Sequence, residues 1–382
     1  MAQWNRVPLI DYIELIGGGT PKTTVPAYWN GNIPWLSVKD FNNDKRYVYS
    51  TEKHISQSGF ENSPTKMLHK DDIIISARGT VGEIAMIPFD MAFNQSCYGI
   101  RASRGIDQPF LYYLLKNCIS QLKRMTHGSV FDTITRDTFA NIEVDIPDAE
   151  TQKRISSVLA DIDNKIEVND AINDNLHQQA ATLFKALFVD LTPFDGTMPP
   201  NWTISTLGDA TEMGAGGDKP KESSPVKTPL CPYPIYSNGI NDYGLYGYTN
   251  DPKIKVESVT VSARGTIGYV CLRHTPYVPI VRLVTLIPDT KVLSAKYLYL
   301  YLRQLHITGT GTTQQQLTVP DFRKTEIIIP DKNTMDSFTE TVTPLFEQIW
   351  ANEDENTKLA EVRDALLPKL MSGEIDVSDI QL

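Results

Sequence analysis

Two arginines stand in identical settings. Arg78 lies in Ser76-Ala77-Arg78-Gly79-Thr80 and Arg264 in Ser262-Ala263-Arg264-Gly265-Thr266; each string continues with a β-branched residue and a glycine, Val81-Gly82 and Ile267-Gly268. An arginine that follows a strand and precedes a glycine has three uses. It forks onto O6 and N7 of a guanine in the major groove, worth roughly 1–3 kcal/mol of discrimination. It holds a phosphate, or it pairs with a local carboxylate across a strand-end turn. Gly79 and Gly265 let another backbone approach, and the hydroxyls of Thr80 and Thr266 can donate to phosphate. Lys22 and Lys219, each just after a glycine turn, are further candidates for the same contact. The run Thr312, Thr313, Gln314, Gln315 and Gln316 offers hydroxyl and amide groups that suit adenine edges or phosphates, and equally suit solvent; Gly128-Ser129 is its counterpart.

Other chemistries find no footing. Gly-Thr-Val-Gly and Gly-Thr-Ile-Gly lack the lysine and the spacing of a phosphate loop, and no Gly-x-Gly-x-x-Gly string opens a nucleotide fold. No Asn/Asp-Pro-Pro-Tyr/Phe string of an amino-methyltransferase occurs. A nuclease-like pattern does match at Pro147-Asp148 and Asp163-Asn164-Lys165, but Asp163 and Lys165 are two apart on an expected helix and cannot face the same way. The six histidines show no nucleophile–base arrangement. Cys97, Cys118, Cys231 and Cys271 are widely spaced, with no Cys-x-x-Cys pair, so no metal site is expected and reduced thiols in a cytoplasm are.

The arginine string is part of a longer doubling. Trp4, Leu9, Asp11, Glu14, Gly18 and Gly19 match Trp202, Leu207, Asp209, Glu212, Gly216 and Gly217 at an offset of 198. The arginine strings lie at an offset of 186, and Gly128, Thr135, Phe139, Pro147 and Thr151 match Gly311, Thr318, Phe322, Pro330 and Thr334 at 183. Order is kept and the offset drifts by deletion, as loops vary on a common frame. The period is too long for a solenoid and reads as two homologous halves.

Each half ends in a helical pattern. Ile155, Leu159, Ile162, Ile166, Asn169, Asn173, Leu176, Ala180, Leu183 and Leu187 alternate steps of four and three, the seam of a coiled coil. Phe338, Val342, Leu345, Ile349, Asn352, Asn356, Leu359, Arg363, Leu366 and Leu370 repeat it. Two helices with one apolar stripe each bury those stripes against each other. An antiparallel pair brings Asn169, Asn173, Asn352 and Asn356 to mid-length, either as a buried layer that fixes register or as a partly hydrated turn. Pro344 is placed to bend the second helix near its start. Before each helix the chain reads as mixed strand and helix. Asp72–Ile75 and Ser258–Val261 are short strands running into the arginine strings, Ile142, Val144 and Ile146 alternate, and Phe110–Lys116 and Lys296–Gln304 are helical.

The net charge of −10 is unevenly spread. Residues 1–149 carry 15 basic and 16 acidic groups and residues 200–332 carry 14 and 11, so the two larger blocks are near neutral. Residues 150–199 (4 and 8) and 333–382 (3 and 11) hold the acidity. A near-neutral block can still present a basic face, though the sequence alone does not show one. The length suits two or three domains. No stretch is long and apolar enough for a membrane span, and the start does not read as a signal peptide.

In order and in duplication, these motifs resemble the specificity subunit of type I restriction–modification systems. The resemblance rests on Gly18-Gly19-Thr20-Pro21-Lys22, Tyr28-Trp29-Asn30-Gly31-Asn32-Ile33-Pro34-Trp35, the two arginine strings, Thr308–Leu317, and Ile146-Pro147 followed by Glu150–Ile155. It covers essentially the whole chain. It implies an α/β (α+β) fold: two homologous globular target-recognition domains separated by two long helices, paired as an antiparallel coiled coil with pseudo-twofold symmetry. The expected boundaries are 1–149 for the first domain, 150–196 for the central helix and linker, 197–332 for the second domain, 333–372 for the second helix and 373–382 for a tail. The resemblance also implies a non-catalytic scaffold that reads a bipartite, asymmetric site in double-stranded DNA. Its partners would be two methyltransferase subunits and translocating restriction subunits, which bring S-adenosylmethionine, ATP and Mg. The second half departs from the pattern at Gly214–Pro220 and lacks the Pro-Trp signature, so the two domains are expected to read different half-sites. The alternatives are a DNA-recognition subunit of another restriction class, a nuclease acting alone, and a protein-binding coiled-coil scaffold.

Overall fold

A computed structural model describes residues 4–126, 133–309 and 315–380; Gly128, Ser129, Thr312, Thr313 and Gln314 lie outside the described residues. The chain divides into two compact units, Met1–Ala171 with Asn352–Leu382, and Ile172–Ala351.

In the first unit, β1 (Asn5–Pro8), β2 (Ile13–Gly17), β3 (Trp29–Leu36), β4 (Lys53–Ile55), β5 (Met67–Leu68), β6 (Ile73–Ser76), β7 (Ile84–Met86), β8 (Met91–Phe93), β9 (Cys97–Ala102) and β10 (Glu143–Ile146) form the sheets. One sheet has the order β2-β9-β6-β7, a second β4-β3-β8-β5, and β1 pairs with β10. All neighbours are antiparallel except β3 and β8. Ile73, Ile74 and Ile75 of β6 are all fully buried. The reason is that β6 has a core on each face. Ile73 and Ile75 join the layer under helix α1 (Gln108–Thr126), whereas Ile74 faces the second sheet with Leu36, Phe41 and Phe93. A strand covered on both faces reads as a continuous apolar run, not as an alternation.

Burial pushes the Cys97 thiol up to about 12 and the Cys118 thiol up to about 11. Thiolate is the reactive form, so both should resist alkylation. With the protein folded at pH 8, a maleimide should label Cys231, the one half-exposed cysteine, well before Cys97 or Cys118. Mass mapping that found Cys97 labelled first would refute this packing.

The second unit repeats the plan. Its strands are β11 (Thr203–Thr206), β12 (Thr211–Ala215), β13 (Ser223–Ser224), β14 (Tyr233–Tyr236), β15 (Leu245–Thr249), β16 (Ser258–Val261), β17 (Val270–Arg273), β18 (Val278–Pro279), β19 (Val284–Pro288) and β20 (Glu326–Ile329). The orders are β12-β19-β16-β17, β13-β15-β14-β18 and β11-β20, and again one pair, β14 with β18, is parallel. Here the inner positions of β16 alternate. Val259 and Val261 enter the core with Tyr297 and Leu298 of helix α3 (Ala295–Gln304), while Ser258 and Thr260 meet the polar groups of Tyr277 and Arg273 at 2.9 and 3.0 Å. One fold thus carries an apolar inter-sheet layer in one unit and a hydroxyl-rich layer in the other.

The two long helices, α2 (Ala149–Phe184) and α4 (Lys332–Met371), contribute to both units. In the first unit, Ile155 and Leu159 of α2 share a core with Leu367, Leu370 and Met371 of α4. In the second, Ala180 and Phe184 share one with Phe338, Val342, Phe346 and Ile349. Residue numbers rise on one helix as they fall on the other, so the pair is antiparallel. The expected seam fails at one place. Leu183 is 36% exposed, and Phe184 and Phe188 are buried instead. Beyond Ala180 the stripe steps by four, and residues Lys185–Val189 form a π-helical turn. The cause is the larger apolar payload of the two rings, which reach Tyr297 at 5.4 and 4.9 Å and, from Phe188, Trp202 at 5.7 Å. Pro344 is exposed and sits inside α4, whose helical span is unbroken there.

Candidate nucleic-acid interface

The arginine strings are the hairpin loops β6–β7 and β16–β17, and serine, not arginine, closes them. Ser76 Oγ donates to the Thr80 carbonyl at 2.5 Å and accepts from the Glu83 N–H at 2.8 Å, and the Gly82 N–H donates to the Ser76 carbonyl at 2.9 Å. Ser262 repeats each bond, to the Thr266 carbonyl, from the Tyr269 N–H at 2.9 Å, and from the Gly268 N–H at 3.0 Å. Gly79 and Gly265 have φ of +79° and +70°, with open space where a Cβ would stand. They are glycines because of the left-handed backbone, not because of crowding.

This skeleton leaves Arg78, Gly79 and Thr80, and Arg264, Gly265 and Thr266, exposed. No hydrogen bond or ion pair engages the Arg78 side chain among the described residues. Arg264 donates from Nη2 to Gln316 Oε1 at 3.0 Å, a neutral amide and not the carboxylate that a purely structural arginine would seek. Gln316 is thereby brought to the arginine loop, while Gln315 is exposed. The chain returns beside each loop in the same way: the Ile134 N–H donates to the Ala77 carbonyl, and the Leu317 N–H to the Ala263 carbonyl, both at 3.0 Å.

The glycine turns approach these loops through a third segment. The Gly19 N–H donates to the Phe93 carbonyl at 2.9 Å, and a Cβ on Gly18 would stand 2.0 Å from the Asn94 carbonyl oxygen. The Trp35 indole, 5.2 Å from Trp29, donates to the Gly19 carbonyl at 3.1 Å. The Ala77 and Arg78 N–H groups donate in turn to the Ser96 carbonyl at 2.8 and 3.2 Å. In the second unit Gly216 is equally close-packed, with a virtual Cβ 2.7 Å from the Ile280 nitrogen, whereas Gly217 is free of crowding. Lys22 is exposed; Lys219 is exposed and lies over the Tyr246 ring at 5.1 Å. Each unit therefore gathers a glycine turn, an arginine hairpin and the returning residue, Ile134 or Leu317, at one end of its central sheet.

The model of the type I restriction modification DNA specificity domain matches the chain twice, over residues 1–178 and 199–361. The chain belongs to that family. Over an alignment 413 positions long it is 27% identical to the MjaIX specificity subunit of Methanocaldococcus jannaschii, spanning 99% of this chain and 94% of the relative. It is 26% identical over 354 residues to the HindI specificity subunit of Haemophilus influenzae, spanning 70% and 77%. Its fold is that of the crystal structure of a type I restriction-modification S subunit from M. genitalium, with a TM-score of 0.57 at 15% identity over 97% of this chain and 96% of that one.

The residues of the nuclease-like pattern are otherwise engaged. Asp148 caps α2, accepting from the Glu150 and Thr151 N–H groups at 3.1 and 2.9 Å. Asp163 is 3% exposed and is held by Tyr113 Oη at 2.7 Å and Arg363 Nη1 at 2.9 Å. Lys165 faces outward to Glu355. Among the described residues no cluster of His, Cys, Asp or Glu could hold a metal ion.

Asp163 belongs to a polar network that sequence reading missed. Arg363 is 4% exposed, at a seam position of α4, and its three guanidinium nitrogens meet Asp364, Asp163 and Asp44, each at 2.9 Å. Burial works against its charge, but the hydrogen bonds of Asp364 and Asp163, and the field of Asp163 and Asp44, outweigh this and raise its pKa. Asp44 also takes Lys116 of α1 at 2.9 Å, and Arg46 reaches Asn164 at 3.0 Å. A single signal was present: an arginine inside an otherwise apolar or amide seam.

Near the middle of the helices, Asn169 Nδ2 donates to Glu355 at 2.7 Å and to Asn356 Oδ1 at 2.9 Å, and Asn356 Nδ2 donates to Asp170 at 2.9 Å. Asn173 is buried in the second unit, with Nδ2 3.4 Å from the Ile349 carbonyl, and Asn352 is 5% exposed.

Proposed function

We propose that this chain is the part of a type I restriction system that reads DNA and carries out no chemistry of its own. As a member of its family it is a DNA sequence-specificity subunit, and its two-domain layout fits a bipartite target. The observation that carries the finer reading is the pair of arginine hairpins. Each has the same serine-closed skeleton, each leaves its guanidinium exposed, and neither arginine takes a carboxylate partner among the described residues.

In this reading Arg78, Gly79 and Thr80 meet one half-site, and Arg264, Gly265 and Thr266 the other. Gln315, Gln316, Lys22 and Lys219 flank them. Ser129, Thr312, Thr313 and Gln314, outside the described residues, belong to the same segments by sequence. The half-sites differ because the loop surroundings differ. The helix pair sets the spacer between them, much as dimer geometry sets half-site spacing in other DNA readers, with Asn169, Asn173, Asn352 and Asn356 fixing register. Two methyltransferase subunits supply S-adenosylmethionine, and restriction subunits supply ATP- and Mg-dependent translocation, in the cytoplasm. The test is the methylation pattern of a host that expresses the chain with its methyltransferase partners. The expected motif is two short, unlike halves around a fixed spacer of any sequence. Incubation of the purified chain with DNA and Mg²⁺ should leave the DNA uncut; cleavage would overturn the non-catalytic reading.

A further inference from the structure

Two residues beside the second arginine hairpin have a backbone that their side chains rarely adopt. Val281 and Arg282 have φ of +53° and +61°. For a β-branched valine this is a true outlier, and such conformations persist only where the surroundings over-determine them. Here three bonds do so. The Val281 N–H donates to the Gly217 carbonyl and the Arg282 N–H to the Gly216 carbonyl, both at 2.9 Å, and the Val281 carbonyl accepts from Asn238 Nδ2 at 2.7 Å.

Asn238 makes one more bond. Its Oδ1 accepts from the Ala263 N–H at 2.7 Å, immediately before Arg264. One amide side chain therefore staples the left-handed corner to the arginine hairpin. Val281 is 49% exposed, Arg282 is exposed, and no hydrogen bond or ion pair engages the Arg282 guanidinium among the described residues.

The first unit builds the same corner without strain. The β3–β8 and β14–β18 pairings align Phe93 with Pro279, so Gln95 and Ser96 correspond to Val281 and Arg282. Gln95 and Ser96 stay out of the left-handed region, and the Ser96 carbonyl itself accepts from the hairpin, the role that Asn238 takes in the second unit. Gln95 pairs with Thr20. At the two corner positions the first unit thus has an amide, Gln95, and a small hydroxyl, Ser96, where the second has Val281 and the exposed Arg282 guanidinium.

We infer that Arg282 is a specificity-determining residue of the second domain, contacting the DNA half-site beside Arg264, and that Asn238 is the positioning residue that holds it there. This rests on the DNA-reading function proposed above. An arginine fork suits guanine, whereas the hydroxyl of Ser96, its counterpart in the first unit, favours no one base. The corner is accordingly a place where the two half-sites come to differ.

The test uses the chain assembled with its methyltransferase partners. Affinity is measured for the cognate duplex and for duplexes with each base pair of either half changed in turn. Arg282→Gly keeps the left-handed backbone, and Arg282→Lys keeps the charge without the fork. Arg282→Gly should weaken cognate binding by roughly 5- to 150-fold and erase discrimination at one position of the second half, leaving the first half as discriminating as before. Arg282→Lys should relax the same position with a smaller loss of affinity. Asn238→Ala should reduce discrimination at the positions read by both Arg264 and Arg282. Wild-type affinity and discrimination in both Arg282 variants would overturn the inference. So would a loss that is equal for all sequences and lowers the salt slope by about one, because that marks a phosphate contact alone. If the wild-type assembly itself showed no two-part site, the proposed function would fail instead.

Discussion

Changing Arg363 to Met should destabilise the first unit by about 3–5 kcal/mol. The reason is what the change leaves behind. Asp163 would remain buried and, among the described residues, would keep only the Tyr113 hydroxyl at 2.7 Å as a hydrogen-bond partner, because its other one is Arg363. For a unit of this size the loss corresponds to a fall of roughly 6–20 °C in its thermal transition. The reverse change, Asp163→Ala, should cost less, since Arg363 would keep Asp44 and Asp364. The pseudo-equivalent positions show that the fold does not need the pair. At the offset of 183 that relates the helices, Asp163 and Arg363 correspond to Phe346 and Ala180, both buried in the apolar core of the second unit. Tyr113→Phe, Asp163→Leu and Arg363→Met together should therefore recover most of the stability lost by Arg363→Met alone. Calorimetry on the whole chain separates these outcomes. A single variant as stable as the wild type would show that the Asp163–Arg363 pair is hydrated and not buried.

The second large effect is on binding. Arg78→Ala and Arg264→Ala should each lower cognate affinity of the assembled complex by roughly 5- to 150-fold, and the double variant should lose roughly the product. Neither should change the thermal transition by much, because Ser76 and Ser262 hold the hairpins and the two guanidinium groups are exposed. Arg264→Ala should be the milder in one respect, since it frees Gln316 to bond elsewhere. A base contact predicts relaxed specificity at one position for each variant; a phosphate contact predicts uniform weakening and a smaller salt slope. Unchanged affinity in both would remove the hairpins from the recognition surface.

The doubled architecture was legible because its demands on residue type are local. The arginine string repeats chiefly because its serine and glycines are backbone devices: Ser76 and Ser262 close the turn, and Gly79 and Gly265 take positive φ. The same fact blurs the functional reading, since the serine and alanine of each string are buried and only the last three residues are exposed. The helix seam was legible from its period, and failed at Leu183 because two phenylalanines one residue on had more surface to bury. The Arg363 network was not legible. Asp44 lies 319 residues from Arg363 in the chain, and no spacing rule joins them. Asp163 drew notice through a nuclease-like pattern when its environment is a buried ion pair. The left-handed corner at Val281–Arg282 was equally hidden, because nothing in a Val-Arg dipeptide signals positive φ.

In the proposed function each domain reads one half of a two-part site. The most direct measurement is the motif methylated in a host whose chain carries a second copy of the first domain in place of residues 197–332. The expected site has two identical halves in opposite orientation, both equal to one half of the wild-type motif, around the original spacer. A motif that kept the wild-type second half, or one with a single uninterrupted sequence, would contradict it.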